Sequence, residues 1–233
     1  MNELKEIKRK YYSTPQVVDR YVEKRFRGRG GAWVNRREID ACLAFLPQDA
    51  PGRVLDAPAG TGRLSQAMLE KGICSTGLDA SSGMIAAARE LVRDERILFT
   101  AGDLFQMPFP PGTFVISFCI RFTFHTTQLE QLFAEEMRIL KPGGVFVFDT
   151  IRWSPRTWLP SGKIGRVVPY SDAEVERTLK LVGADLEQKT PMFALPSFAY
   201  SFLPDVLFGP FRRLEDFWPQ SAFSRVFWLA RKK

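Results

Sequence analysis

The sequence predicts an α/β fold built on a doubly wound, mostly parallel sheet. Short apolar runs alternate with segments of helical periodicity along the 233 residues. Acidic residues and glycine-containing turns follow several of these runs, as they do where parallel strands end. A hydrophobic content of 45% is sufficient for a substantial core.

Seven apolar runs have the length and composition of strands. They are residues 53–57, 74–79, 97–100, 114–120, 144–150, 186–193 and 224–231. The first five are separated by short links or by segments with helical periodicity. This spacing is typical of successive βα units.

Three helices are predicted from their pattern and their ends. Segment 35–46 places its apolar residues on one face, and segment 127–140 ends at a Lys-Pro-Gly-Gly stretch. Ser171 and Glu174 have the spacing of a capping box, which opens a third helix that runs to Gly183.

The chain is predicted to form one domain with four parts. These are an N-terminal helical cap (1–34), a cofactor-binding core (35–190), an aromatic and proline-rich lid insertion (191–223) and a final strand (224–233). The lid has nine aromatic residues and five prolines, which favours an apolar wall for an acceptor over a long helix. Alternatively, these aromatic residues close the core beneath a long loop.

A glycine turn follows the first predicted strand. Asp56 ends the strand, and Gly60 and Gly62 precede a helical segment. Glycine permits a positive φ and close approach of a ligand, and the helix N-terminus presents free N–H groups. Asp79 ends the second strand 19 residues after Gly60, close to the offset of a carboxylate that binds ribose hydroxyls. The turn is therefore predicted to hold a nucleoside-type cofactor.

The rest of the turn disfavours a dinucleotide. Ser65 stands where a third glycine is expected, and Pro58 stiffens the approach. Asp103 follows the third strand, so carboxylates recur after three successive strands. Three carboxylates around one crevice suit a cationic, hydroxyl-rich ligand better than a pyrophosphate.

Four ordered blocks support a family resemblance. They are residues 54–64, residues 77–81 with Met84, residues 102–103 with 107–109, and residues 140–149. On these blocks the chain resembles a class I S-adenosylmethionine-dependent methyltransferase of the ubiquinone and menaquinone biosynthesis type. The match covers residues 35–151 in order. The resemblance implies a Rossmann-like seven-stranded sheet with an antiparallel final strand, and S-adenosyl-L-methionine as cofactor.

The resemblance also implies a set of cofactor-binding residues. Residues 56–62 would border the methionine portion, Asp79 the ribose, Ala80 and Met84 the adenine, and Asp103 with Leu104 its exocyclic edge. Pro58 departs from the usual glycine and has no N–H to donate. The full set of predicted cofactor-binding residues is Asp56, Ala57, Pro58, Ala59, Gly60, Gly62, Asp79, Ala80, Met84, Asp103, Leu104, Ile120 and Arg36. Arg36 is included for its position alone, on the helix before the first strand, from which it would reach the cofactor's carboxylate; packing in the core or at the surface is the alternative.

Catalysis by methyl transfer needs no dedicated acid or base unless the acceptor is a hydroxyl. His125, the single histidine, follows the fourth strand and is the candidate catalytic base. Its alternative role is a hydrogen bond to a loop carbonyl. Asp149, with Thr150 beside it, is a second candidate base. Tyr11 and Tyr12 are candidates for an aromatic cover over the sulfonium.

The three cysteines have no metal-ligand spacing, so no metal is expected. They are predicted to be buried in a reducing environment. The sequence shows neither a signal-type apolar run nor the roughly 18 apolar residues of a membrane span. A cytoplasmic location is expected.

The net charge of +7 arises largely from a basic edge in residues 1–37. Such an edge could bind RNA or an anionic membrane surface, or form a solvated face. The chain lacks an Asn-Pro-Pro-aromatic motif and an appended nucleic-acid module, which favours a small-molecule acceptor. The sequence thus predicts methyl transfer to an O or C atom of a small, apolar or aromatic acceptor. The alternatives are an RNA methyltransferase or RNA-binding protein, an NAD(P)-dependent oxidoreductase, and an inactive methyltransferase-like subunit.

Overall fold

The fold was examined in a computed structural model, which describes residues 14, 26, 28–46, 52–154, 157, 167–195, 197–215 and 217–233. Tyr11 and Tyr12 lie outside the described residues. The strands are β1 (Arg53–Asp56), β2 (Ser75–Asp79), β3 (Ile97–Ala101), β4 (Phe114–Cys119), β5 (Leu140–Ile151), β6 (Ala184–Met192) and β7 (Arg225–Lys232). The helices are α1 (Gly28–Ala44), α2 (Arg63–Glu70), α3 (Ser82–Leu91), α4 (Leu129–Ile139), α5 (Asp172–Leu181), α6 (Ser197–Tyr200) and α7 (Asp205–Glu215), with 3₁₀ turns at Thr123–His125 and Gln220–Ala222.

All seven strands form one sheet in the order β3-β2-β1-β4-β5-β7-β6. Strands β1 to β5 are parallel, whereas β7 pairs antiparallel with both β5 and β6. The doubly wound fold class and its antiparallel final strand are therefore confirmed. The strand order reverses between β1 and β4, and a crevice for ligands forms at such a reversal.

The helices confirm two predicted elements closely and extend a third. Ser171 accepts from the Glu174 N–H and forms the expected capping box at the start of α5. Helix α1 begins seven residues earlier than the predicted start at residue 35. In this early part of α1, Gly30 packs so closely on the end of α6 that a Cβ there would overlap the Tyr200 carbonyl oxygen.

Strand β5 starts at Leu140, before the Lys-Pro-Gly-Gly stretch that was predicted to separate helix from strand. Leu140 already pairs with Phe114 of β4, so the chain passes from α4 into the sheet without a loop. The predicted turn became the first part of a 12-residue strand. Gly143 accommodates this with a φ of +74°.

The sheet separates two apolar layers. Phe146 and Phe148 of β5 pack on one face with Phe133 of α4, and Val145 and Val147 lie on the other. This alternation follows from the two-residue period of a strand. Trp228 of β7 stacks on Phe148 with ring centroids 6.1 Å apart, which continues the first layer.

The prediction of three buried cysteines holds for Cys42 and Cys119 and is wrong for Cys74. Cys74 lies one residue before β2 begins and is exposed. An apolar run therefore overestimated the extent of the buried strand, because the sheet covers the chain only from Ser75 onward.

Candidate functional site

The turn between β1 and α2 contains two glycines in left-handed backbone conformations. Gly60 has a φ of +54° and Gly62 a φ of +80°. A Cβ at Gly62 would lie 3.1 Å from the Ala88 Cβ and 3.2 Å from the Phe99 ring, so packing requires glycine there. Around Gly60, by contrast, no atom of the described residues lies within 4 Å of the Cβ position. The turn is thus closed beneath Gly62 and open above Gly60.

A buried carboxylate supports the open part of this turn. Asp79 Oδ2 accepts the Gly60 N–H at 2.9 Å, and Oδ1 accepts the Ser81 N–H at 2.8 Å. Burial raises the pKa of Asp79, although both backbone bonds oppose the shift. Asp79 as a whole is only 9% exposed, so its carboxylate is held by these two backbone bonds in a nearly buried position.

Asp56 lies deeper, beneath the same turn. Its Oδ2 accepts a hydrogen bond from Ser65 Oγ at 2.8 Å. Complete burial raises the pKa of Asp56 to about 6, against the opposing effects of Ser65 and Arg63. The serine that replaces the third fingerprint glycine therefore anchors this carboxylate.

The other predicted cofactor-binding residues differ in how far they are exposed to solvent. Asp103 and Ala80 are exposed, and the Asp103 carboxylate accepts the Phe105 N–H at 3.0 Å. Pro58 is half-buried. The buried members are Ala57, Ala59, Met84, Leu104 and Ile120. The structure thus brings the three strand-end carboxylates to one edge of the sheet, while their contacts with a cofactor stay a prediction.

Arg36 and Arg63 lie in different environments. The Arg36 side chain is 85% exposed, with its Nε 3.9 Å from Asp40. Arg63 follows the glycine turn directly, and its side chain is 16% exposed. It donates from Nη1 to Asn35 Oδ1 at 2.6 Å and from Nη2 to Glu38 Oε2 at 2.8 Å. The arginine adjacent to the turn is therefore Arg63.

Glu38 is the centre of a buried ionic cluster. It accepts hydrogen bonds from three guanidinium groups, those of Arg63, Arg121 and Arg225. Burial alone would raise the pKa of Glu38, but Arg121, Arg225 and Arg63 together lower it far below its ordinary value. The glutamate is consequently ionised, and it ties α1 to α2, β4 and β7.

Asp149 is the second carboxylate of this cluster. It accepts the Arg121 backbone N–H at 2.6 Å and the Arg225 Nε at 2.5 Å. Its neighbour Thr150 accepts from Trp228 Nε1 at 2.8 Å. Arg121 has a φ of +64°, which is rare for a residue with a side chain. Asp149 thus holds the ends of β4 and β7 together, which disfavours a role as catalytic base.

Residues 55–148 match a family described as "Methyltransferase domain". The matched span runs from β1 to β5 and includes the glycine turn and all three strand-end carboxylates. Over this span the chain is similar to a methyltransferase domain.

A demethylmenaquinone methyltransferase from Beutenbergia cavernae is 31% identical over 156 residues, which cover 64% of this chain and 58% of the relative. The chain spans about half the length of the curated relatives it matches. Among solved structures, a complex of the Haloferax volcanii Trm112 methyltransferase activator with a methyltransferase matches 96% of both chains (TM-score 0.71, 20% identity). Haemonchus contortus phosphoethanolamine N-methyltransferase 2 with S-adenosyl-L-methionine matches all of this chain and 60% of its own (TM-score 0.71, 20% identity). Both structures support the fold.

His125 lies in the 3₁₀ turn that follows β4. It is half-buried, and its ring centroid lies 4.7 Å from that of Phe124. Its backbone N–H donates to the Phe122 carbonyl at 2.7 Å, which holds the turn closed. The histidine therefore stands at the carboxyl end of the strands, as the sequence predicts, and its part in catalysis stays a prediction.

Segment 191–223, the predicted lid, has an inner and an outer face. On the inner face, the Trp33 ring packs against Phe193, Tyr200 and Phe208 at centroid distances of 5.6, 5.3 and 5.6 Å. The Tyr200 hydroxyl donates to Glu215, which also accepts the Ala194 N–H at 2.6 Å. The inner aromatic residues thus close the core, in agreement with the alternative drawn from the sequence.

The ionic cluster was missed by sequence reasoning. Arg121 and Arg225 are 83 and 187 residues from Glu38, so no local spacing indicates their contact. Glu38 interrupts the apolar pattern of α1, which was the one available signal.

Within the described residues, no group of three or more metal-ligating side chains was found. None of the described helices is long and apolar enough to cross a membrane.

Proposed function

We propose that this chain transfers a methyl group from S-adenosylmethionine to an O or C atom of a small apolar or aromatic acceptor. The observation that carries the proposal is the open glycine turn at Gly60 with the buried Asp79 carboxylate behind it. The absence of a side chain at Gly60 leaves room for a ligand, and a carboxylate accepts hydrogen bonds from ribose hydroxyls.

The cofactor would be held by the same strand ends. Residues 56–62 would border its methionine portion, Asp79 its ribose, Ala80 and Met84 its adenine, and Asp103 with Leu104 the exocyclic edge. When bound, the cofactor supplies a methyl group already activated by the positive sulfur. The acidic edge formed by the three aspartates suits this cationic ligand.

The chain's own contribution would be to position the acceptor and exclude water. Alignment of two reactants can lower a barrier by roughly 7–11 kcal/mol, so positioning is the main requirement. Glu38, with its three arginines, fixes the strand ends around which the acceptor would bind. If the acceptor is a hydroxyl, His125 would accept its proton.

We further propose that residues 1–233 act as one methyltransferase domain, with residues 191–223 as the lid that selects the acceptor. The lid begins after β6 and returns at β7, on the edge of the sheet that carries Asp56 and Asp149. The buried rings of Phe193 and Tyr200 give it a fixed position. An apolar wall at that edge supports an apolar acceptor.

Calorimetric titration with S-adenosylhomocysteine tests this proposal. Asp79→Ala should weaken binding by about 1.5 kcal/mol or more, because a hydrogen bond to a charged acceptor disappears. Asp185→Ala is the matched control, since Asp185 is the second residue of β6 and forms an exposed pair with Lys233. Its affinity should equal that of the unaltered chain.

The same titration with NAD addresses the oxidoreductase alternative. Heat with NAD and none with S-adenosylhomocysteine would overturn the proposal. Equal affinity of the Asp79→Ala and Asp185→Ala variants would remove Asp79 from the site while leaving the family assignment untouched.

A further inference from the structure

The outer face of the lid exposes a cluster of large apolar side chains, which we call the lid patch. Its members are Phe202 (78% exposed), Val206 (79%), Leu207 (53%), Leu214 (62%), Phe217 (86%) and Trp218 (41%). Single exposed apolar residues are ordinary on protein surfaces, but a contiguous group marks an interaction site. Six members within 17 residues of sequence, on and around α7, make such a group.

The patch cannot be a core that has failed to close, because the inner face of the same segment is already packed. Phe208 is buried against Trp33, and Phe211 contacts Tyr200 with ring centroids 5.9 Å apart. Glu215, at the end of α7, is bonded to Tyr200 and to the Ala194 N–H. These contacts fix the side of α7 that faces the protein and leave the patch facing outward.

Positive charge lies beside the patch. Arg29, in the first turn of α1, is exposed. Helix α1 begins close to the patch, because a Cβ at Gly28 would lie 3.9 Å from the Ser201 carbonyl oxygen, next to Phe202. Arg212 and Arg213 are exposed in the last turn of α7 itself. Aromatic groups and basic groups thus meet on one side of the molecule.

We infer that the lid patch docks on an anionic lipid bilayer, with its aromatic side chains in the interface and the basic residues against the headgroups. Trp and Phe favour the boundary between headgroups and acyl chains. Reversible attachment requires two weak signals, and an apolar surface beside exposed arginines supplies both. Because the lid leaves and rejoins the sheet at the carboxyl ends of the strands, docking would bring the acceptor side of the crevice to the bilayer.

Sedimentation with lipid vesicles tests the inference. The full chain should bind vesicles that contain phosphatidylglycerol, bind pure phosphatidylcholine more weakly, and lose binding as salt is raised. Phe217→Ser with Trp218→Ser should lower the partition coefficient about tenfold or more, because two interfacial anchors are removed. Phe217→Ser alone, at the most exposed position of the patch, should lower it by a smaller factor.

Leu98→Ser is the matched control. Leu98 is 65% exposed on β3, at the opposite end of the sheet from the lid. Its loss should leave the partition coefficient unchanged. Titration of each variant with S-adenosylhomocysteine should give the affinity of the unaltered chain, so that a failure of docking and a failure of the proposed function are distinguishable.

Three outcomes would overturn the inference. The first is vesicle binding that the Phe217 and Trp218 substitutions do not reduce, and the second is no binding to anionic vesicles at all. The third is a concentration-dependent dimer, seen in analytical ultracentrifugation, that these substitutions abolish and that vesicles do not affect. In that case the lid patch is covered by a second copy of the chain.

Discussion

The carboxyl edge of the sheet has two halves that are held together in different ways. In the glycine half, formed by the ends of β1, β2 and β3, backbone N–H groups bind the carboxylates, as Gly60 binds Asp79. In the arginine half, formed by the ends of β4 and β5 and the start of β7, guanidinium groups bind them, as Arg225 binds Asp149. The glycine half depends on contacts within 20 residues of sequence, whereas the arginine half depends on contacts across the whole chain.

Because of this difference, the glycine half has space for a ligand, whereas the arginine half is held rigid by buried ion pairs. The glycine half keeps an open turn at Gly60. The arginine half places buried positive groups around a fully buried glutamate. Charge pairs buried in this way are costly to break, so the ends of β4, β5 and β7 keep a fixed geometry.

The largest expected effect is the loss of Glu38. Glu38→Ala leaves the buried guanidinium groups of Arg121 and Arg225, and the partly buried one of Arg63, without their shared partner. The substitution should lower the free energy of unfolding by about 3–5 kcal/mol. Urea denaturation measures this. Glu187→Ala is the control, because Glu187 forms an exposed pair with Arg231 and should cost about 1 kcal/mol or less. Similar costs for the two variants would refute the distinction between the halves.

His125→Gln tests whether the arginine half also contributes chemistry. With a hydroxyl acceptor, we expect kcat to fall about 100-fold or more, because no other histidine is available to accept the proton. Affinity for S-adenosylhomocysteine should not change. With a carbon acceptor that needs no base, kcat should stay within about threefold. A hydroxyl acceptor that is methylated at the unaltered rate would remove His125 from the reaction.

Glu136, near the end of α4, provides a contrast with Glu38. Both are completely buried, but only Glu38 has arginine partners, so burial raises the pKa of Glu136 to about 8. The pKa of Glu136 is higher in the folded chain than its ordinary value of 4.5, so the stabilisation from its protonated form is fully present below pH 4.5. This contribution is lost as the pH rises through about 8.

Unfolding measured between pH 4.5 and 8 should therefore show a free energy that decreases by up to about 1.4 kcal/mol per pH unit from this residue. Glu136→Gln should flatten the profile, because the amide cannot ionise. Asp185→Asn, an exposed control, should leave the slope unchanged. A profile that Glu136→Gln does not alter would show that Glu136 ionises normally.

The smallest effect compares the two glycines of the turn. Both have a positive φ, so alanine strains the backbone at either position. Gly62→Ala should cost about 1 kcal/mol more than Gly60→Ala, since its Cβ meets Ala88 and Phe99. Gly60→Ala should reduce affinity for S-adenosylhomocysteine more than it reduces stability. Thermal unfolding and calorimetry separate the two, and equal effects on stability would show that packing beneath Gly62 is unimportant.

The sequence alone determined the glycine half and most of the sheet. Strand–turn–helix patterns such as residues 54–64 are set by neighbouring residues, whose periodicity and φ requirements are readable in order along the chain. The same holds for the capping box at Ser171 and for the carboxylates after β1 to β3. Prediction from the sequence was wrong at the start of β5, where pairing of Leu140 with Phe114 overrode the turn signal of the Lys-Pro-Gly-Gly stretch.

Only the tertiary structure decided the arginine half, the exposure of Cys74 and the division of the lid into two faces. Glu38 meets Arg121 and Arg225 because α1, β4 and β7 converge at one edge, and no pattern of spacing encodes that meeting. The lid aromatics are alike in sequence, yet Phe208 is buried and Phe217 exposed. Burial is a property of what packs against a residue, which the chain specifies only once it has folded.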